Sequence, residues 1–201
     1  MKTVFKKYSF GMVKLFITQC VIGLFGLVLA FTALQANSLA VTIGIIALSI
    51  GFYLFLLYVT TWGFGSKDMP AIEAGRMKRS VATGLIIGIG ANIPNLLLAI
   101  IHSATLPFAQ SNRILSAICG ITRIVYLFIN GMYTSILSTV KIGDVNLSDM
   151  WWVFFILPIP AIITTTVAYM LGSKEIHFTK LLLPVTPEEL EIKRENKMNK
   201  K

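Results

Sequence analysis

Residues 39–61 read LAVTIGIIALSIGFYLFLLYVTT and hold no charged residue. A bilayer hydrocarbon core about 30 Å thick is crossed by roughly 20 apolar residues in a helix. This stretch reaches that length unaided, and it predicts a membrane-crossing helix. Ala40 and Gly44, then Ala47 and Gly51, recur at helical spacing and share a face. Small residues so placed let two helix backbones approach closely in lipid. Tyr58 and Trp62 near the end suit the headgroup level.

Four further apolar segments surround it, at 15–34, 81–101, 114–140 and 150–171. Together the five predict an all-α polytopic integral membrane protein of the cell membrane. Residues 1–172 form one helical bundle and 173–201 a basic polar tail. Composition agrees. The chain has 201 residues, 55% hydrophobic and 13% charged, with mean hydropathy +0.76. Soluble domains average about 25% charged residues. The net charge of +9 sits at segment ends, which points to topology and anionic headgroups rather than nucleic acid. Cys20 and Cys119 both lie in apolar runs, where cysteine behaves as a small hydrophobe. No spacing suggests a disulfide framework, a metal site or a cofactor.

Before the first segment, apolar Val4, Phe5, Tyr8, Phe10 and Met12 interleave with Lys2, Lys6 and Lys7. That mixture predicts an interfacial lead-in. The run 15–34 is longer than a secretory h-region, so it reads as an uncleaved first span. Gly63 and Gly65 are expected to end the second helix, leaving a loop at 63–80 with a short helix from Ala71 to Arg79. In the tail, Thr186-Pro-Glu-Glu189 forms a helix start with an N-cap threonine and a proline at the first position.

Five spans conflict with the charges. The N-terminus, the loop 63–80 and the tail are all basic, and basic flanks stay cytoplasmic. Three inside flanks require an even number of crossings. In one arrangement segment three spans, while segment four re-enters or lies at the outer interface. In another, segment three bends back at Asn92-Ile-Pro-Asn95 and segment four spans. A third keeps five spans and puts the tail outside. Arg123 favours the first, since it would lie about 13 Å deep in a helix begun at Ile114. A central arginine costs about 2.5–3.5 kcal/mol on insertion scales. Both even-crossing arrangements put the link 141–149, with Asp144 and Asp149, outside.

Arg123 is the only charge inside an apolar run. At 100° per residue it aligns with Ser116 and Asn130, with Thr134 beside them. Such a stripe marks a polar site or an interfacial helix. No carboxylate lies in any of the five runs, so its partner is a loop acid such as Asp144 or Asp149, a backbone group, a lipid phosphate or an anionic ligand. Asn92 and Asn95 flank Pro94, a candidate helix break of the kind that lines solute sites. Arg76, Lys78 and Arg79 are candidate lipid-headgroup contacts. His102 and His177 read as isolated interfacial residues.

No nucleophile with a base, paired aspartates or metal cluster appears, so the chain reads as non-catalytic. The reading placed first is a subunit or scaffold of a membrane complex, or a homo-oligomer, joined through the Gly84/Gly88 and Ala47/Gly51 faces. The alternative is a transporter or channel for a neutral or anionic solute, using Arg123 and the Asn92–Asn95 break.

Overall fold

The computed structural model describes residues 2–36 and 38–176. The expected tail helix and His177 lie outside the described residues. Lys2–Ala36 form helix α1, Leu39–Glu73 α2 and Val81–Thr105 α3. Arg113–Ile129 form α4 and Thr134–Thr139 α5. A two-residue hairpin, β1 (Lys141–Ile142) and β2 (Val145–Asn146), precedes α6 (Val153–Ile156) and α7 (Pro158–Gly172). Among the described residues, four helices are long and apolar enough to cross a membrane: Val4–Ala33, Leu39–Glu73, Val81–Phe108 and Val153–Gly172.

The fifth apolar segment is not a plain helix. Its two parts, Arg113–Ile129 and Gly131–Thr139, meet at 86°. The turn falls at Asn130, where the chain leaves α-helical geometry (φ −104°, ψ 29°) and passes through a tight turn at Gly131–Tyr133. Packing holds the bend. Gly23 of α1 lies against the Ile129 carbonyl, and Gly131 against the Gly23 carbonyl. Gly26 meets the Met132 backbone. Side chains at these positions would push the tip out of the bundle.

Two sequence expectations about breaks are overturned. Pro94 sits inside a continuous α3, so segment three is not a re-entrant hairpin. Gly63 and Gly65 do not end α2, which continues to Glu73. Gly65 instead lies against the Tyr169 carbonyl and the Ser173 amide, and Gly172 against the Trp62 carbonyl. These glycines bring α2 and α7 into backbone contact. Helix α2 stops where Gly75 adopts φ +71°, so the expected helix from Ala71 to Arg79 is absent. Likewise the lead-in is not a separate helix, since α1 runs unbroken from Lys2.

The bundle has two unlike ends. One gathers the start of α1, the end of α2, the start of α3 and the end of α7. There the Arg79 guanidinium donates to the Ser173 carbonyl at 2.9 Å, and the Trp62 indole to the Ile176 carbonyl at 3.0 Å. This basic end carries Lys6, Lys7, Lys67, Arg76, Lys78, Arg79 and Lys174. The bent segment begins and finishes at the other end, beside the hairpin and the exposed Trp151.

Candidate functional site

Four side-chain amides form one buried chain through the bundle. Gln19 of α1 donates to the Asn130 side-chain oxygen at 2.8 Å. Asn130 donates to Asn95 of α3 at 3.2 Å and to the Tyr126 carbonyl at 3.1 Å. Asn95 donates to Asn92 at 3.0 Å, and Asn92 to the Gly88 carbonyl at 2.9 Å. All four residues are buried. Each oxygen along the chain from Asn130 to Asn92 accepts a bond from its neighbour. In a low-dielectric interior such a network rigidifies the structure, and an unpaired member would be costly. Geometrically, it ties α1 and α3 to the bend of the fifth segment.

A second buried cluster centres on Asp68. The sequence reading placed this carboxylate in a loop, outside every apolar helix. The structure corrects that: Asp68 lies on α2, 4% exposed. Tyr8 of α1 donates to one of its oxygens, and Tyr169 of α7 to the same oxygen at 2.7 Å. The Lys7 ammonium pairs with the other oxygen at 2.6 Å. Three helices thus converge on one carboxylate at the basic end. Tyr8 and Tyr169 pack edge to face. A buried carboxylate needs such satisfaction, since an uncompensated one costs several kcal/mol.

Arg123 belongs to neither cluster. It pairs with Asp149 at 2.5 Å and donates to the Ser148 hydroxyl at 3.1 Å. Arg123 and Asp149 are 39% and 37% exposed, so the pair resembles a surface bridge worth about 0–1 kcal/mol. Ser116 is exposed. Thr134 lies beyond the bend, so the straight stripe from Ser116 to Thr134 does not form. The structure joins Asn92, Asn95 and Asn130, and separates all three from Arg123 and Ser116.

His102 is not the isolated residue the sequence suggested. It is 2% exposed, its Nδ1 lies 3.5 Å from the Cys119 sulfur, and its ring packs on Phe154 at 4.5 Å. Among the described residues no group of three His, Cys, Asp or Glu side chains could hold a metal ion. Arg76 and Lys78 are exposed in the turn between α2 and α3, while Arg79 is engaged with Ser173 as above.

The two small-residue faces have different surroundings. Gly84 lies against Thr166, and Gly88 against Ile162 and Thr165, so α7 of the same chain fills that face. On α2, Ala40, Gly44, Ala47 and Gly51 are all exposed. A Cβ added at Gly44 or Gly51 would meet nothing within 4 Å.

The sequence reading left out Gln19 and misplaced Asp68. A lone amide in the apolar run 15–34 was the available signal for Gln19. For Asp68 the signal was weaker, because the apparent helix breakers just before it hid the continuation of α2. Comparison with known proteins finds no matching family model, no matching characterised protein and no matching solved structure.

Proposed function

We propose that the protein is a non-catalytic integral membrane protein that acts by assembly, as a subunit or scaffold of a membrane complex or as a homo-oligomer. One observation carries this reading. Helix α2 is a candidate span of which only 11% of the most apolar window is buried inside the structure, and its small-residue face is the uncovered one. Burial in the other three candidate spans is 33%, 39% and 44%. Close backbone approach is what small faces supply in lipid.

The topology follows from the charges. The basic end lies in the cytoplasm with the N-terminus, four helices cross, and the bent fifth segment re-enters from the outer side without crossing. The C-terminal tail, following α7, then starts inside. Arg123 and Asp149 lie at the outer interface, where partial exposure removes most of the insertion cost of an arginine. A cysteine replacing Asn196, probed with an impermeant thiol reagent, stays unlabelled in intact cells; labelling there would overturn the four-crossing topology.

A second reading, a path for a neutral solute, is favoured by the four buried amides alone. It requires the chain Gln19–Asn130–Asn95–Asn92 to exchange its internal bonds for bonds to a solute. Arg123, paired elsewhere, no longer contributes to it. Mass measurement after mild-detergent extraction tests the choice. The assembly reading predicts a species larger than one chain; a lone monomer that admits solute into liposomes would favour the path.

A further inference from the structure

Helix α4 turns a narrow stripe inward: its buried residues are Cys119, Thr122, Tyr126 and Ile129. Their spacing of three, four and three keeps them on one side of a helix. On α3 the buried side ends with Asn95, Ala99, His102 and Thr105. Asn95 meets Asn130 and, further along α3, His102 meets Cys119. The two stripes therefore run antiparallel and face each other. At the second crossing the His102 Nδ1 and the Cys119 Sγ lie 3.5 Å apart, and both residues are buried. The imidazole packs on the Phe154 ring with centroids 4.5 Å apart. Tyr126 fixes Phe154 in turn: the two rings meet at 4.5 Å, and the Tyr126 hydroxyl donates to the Phe154 carbonyl at 2.7 Å. One nitrogen and one sulfur donor thus face each other on a fixed apolar wall.

The donors define the ligand. Thiolates select soft metal ions, and imidazole binds several of the same ions. Metal–sulfur and metal–nitrogen bonds of about 2.3 and 2.0 Å set a linear span of about 4.3 Å between the two donors. That is about 0.8 Å more than the 3.5 Å between them here, and a small turn of each side chain supplies it. Charge narrows the choice further. A bound ion displaces the thiol proton, which passes to the buffer, and a ligating imidazole is neutral. Thiolate, imidazole and a monovalent cation then sum to zero, so no uncompensated charge is buried. A divalent ion leaves one positive charge. The Arg123 guanidinium, one turn from Cys119 on α4, acts electrostatically on His102 and opposes that charge. Ions that need three or four such side chains find no matching group among the described residues.

We infer that His102 and Cys119 form a two-donor site for one soft monovalent cation of the Cu(I) kind. The site stands whether the chain works as a subunit or alone.

The full chain, purified anaerobically in mild detergent, is titrated with Cu(I) buffered by a competing chelator, and the copper retained per chain is counted by native mass measurement. Wild type keeps one Cu(I), and copper X-ray absorption shows one sulfur and one nitrogen neighbour. Cys20→Ser keeps it too, which sets Cys119 apart from the other cysteine of the chain. Cys119→Ser and His102→Gln each lower the affinity at least about tenfold, the least seen when even an outer partner of a metal ligand is lost. Zn²⁺ offered in place of Cu(I) is not retained. A wild type that retains no copper would overturn the inference, as would copper without the sulfur and nitrogen pair. Retention unchanged in Cys119→Ser would assign the copper to other donors and overturn it as well. So would Zn²⁺ held as tightly as Cu(I). The absorption measurement uses wild type alone, so it decides the matter even where a variant fails to fold.

Discussion

Helices α2 and α3 carry the same kind of small-residue face and use it in opposite ways. On α3, Gly84 and Gly88 touch α7, and the same side continues into Asn92 and Asn95 of the buried amide chain. On α2, the buried side holds Ser49, Tyr53, Leu57, Thr61, Gly65 and Asp68, while Ala40, Gly44, Ala47 and Gly51 face outward. A small-residue spacing therefore identifies a surface able to pack closely. It does not say whether the partner lies within the chain or beyond it.

The largest effect is expected where α3 is filled. Gly88→Leu forces bulk into Ile162 and Thr165 and should destabilise the bundle by about 3 kcal/mol, read as a lowered denaturant midpoint in detergent. Next comes Asn95→Ala. It leaves Asn92 and Asn130 each short of a buried partner, at about 1–3 kcal/mol. If Asn95→Ala were neutral, the amide chain would not be a structural tie. A smaller effect is expected at Arg123. Arg123→Ala removes a half-exposed pair and should cost less than about 1 kcal/mol. A loss as large as that of Asn95→Ala would mean that Arg123 is buried in the working protein. The smallest stability effect belongs to Gly51→Leu on the open face, within about 0.5 kcal/mol for the isolated chain.

Much of the fold is legible in the sequence because hydrophobic length is a local property. The four long apolar helices follow from runs of uncharged residues. Counting basic flanks against crossings singles out segments three and four as the place to look for an exception, and the bend falls in segment four. Where that segment bends was not legible. The bend at Asn130 depends on Gly23 and Gly131 meeting across more than a hundred residues of chain, and neither glycine stands out locally. Helix ends failed for a related reason. Gly63, Gly65 and Pro94 are breakers in isolation, but tertiary packing against α7 and the bundle interior overrides propensity.

The candidate site was legible in part. Asn92 and Asn95 stood out beside a proline, and Asn130 stood out on an apolar helix. Their joining through Gln19 is a tertiary fact. Arg123 drew notice as a charge in an apolar run, yet depth depends on the orientation of the helix and not on the count from its start. Asp68 shows the converse. A carboxylate that looks peripheral is held by Tyr8, Tyr169 and Lys7 in the core of the basic end. Its replacement by alanine would strand two tyrosine hydroxyls and a lysine.

The contrast between the two faces leads to one direct measurement. The wild type and Gly44→Leu/Gly51→Leu are extracted from membranes in a mild detergent, and the mass of the native particle is determined for each. The account predicts that wild type is larger than one chain of 22.2 kDa, and that the double variant folds but falls to the single-chain mass. A wild type that is already a lone monomer, or a double variant that keeps the full particle, would contradict it.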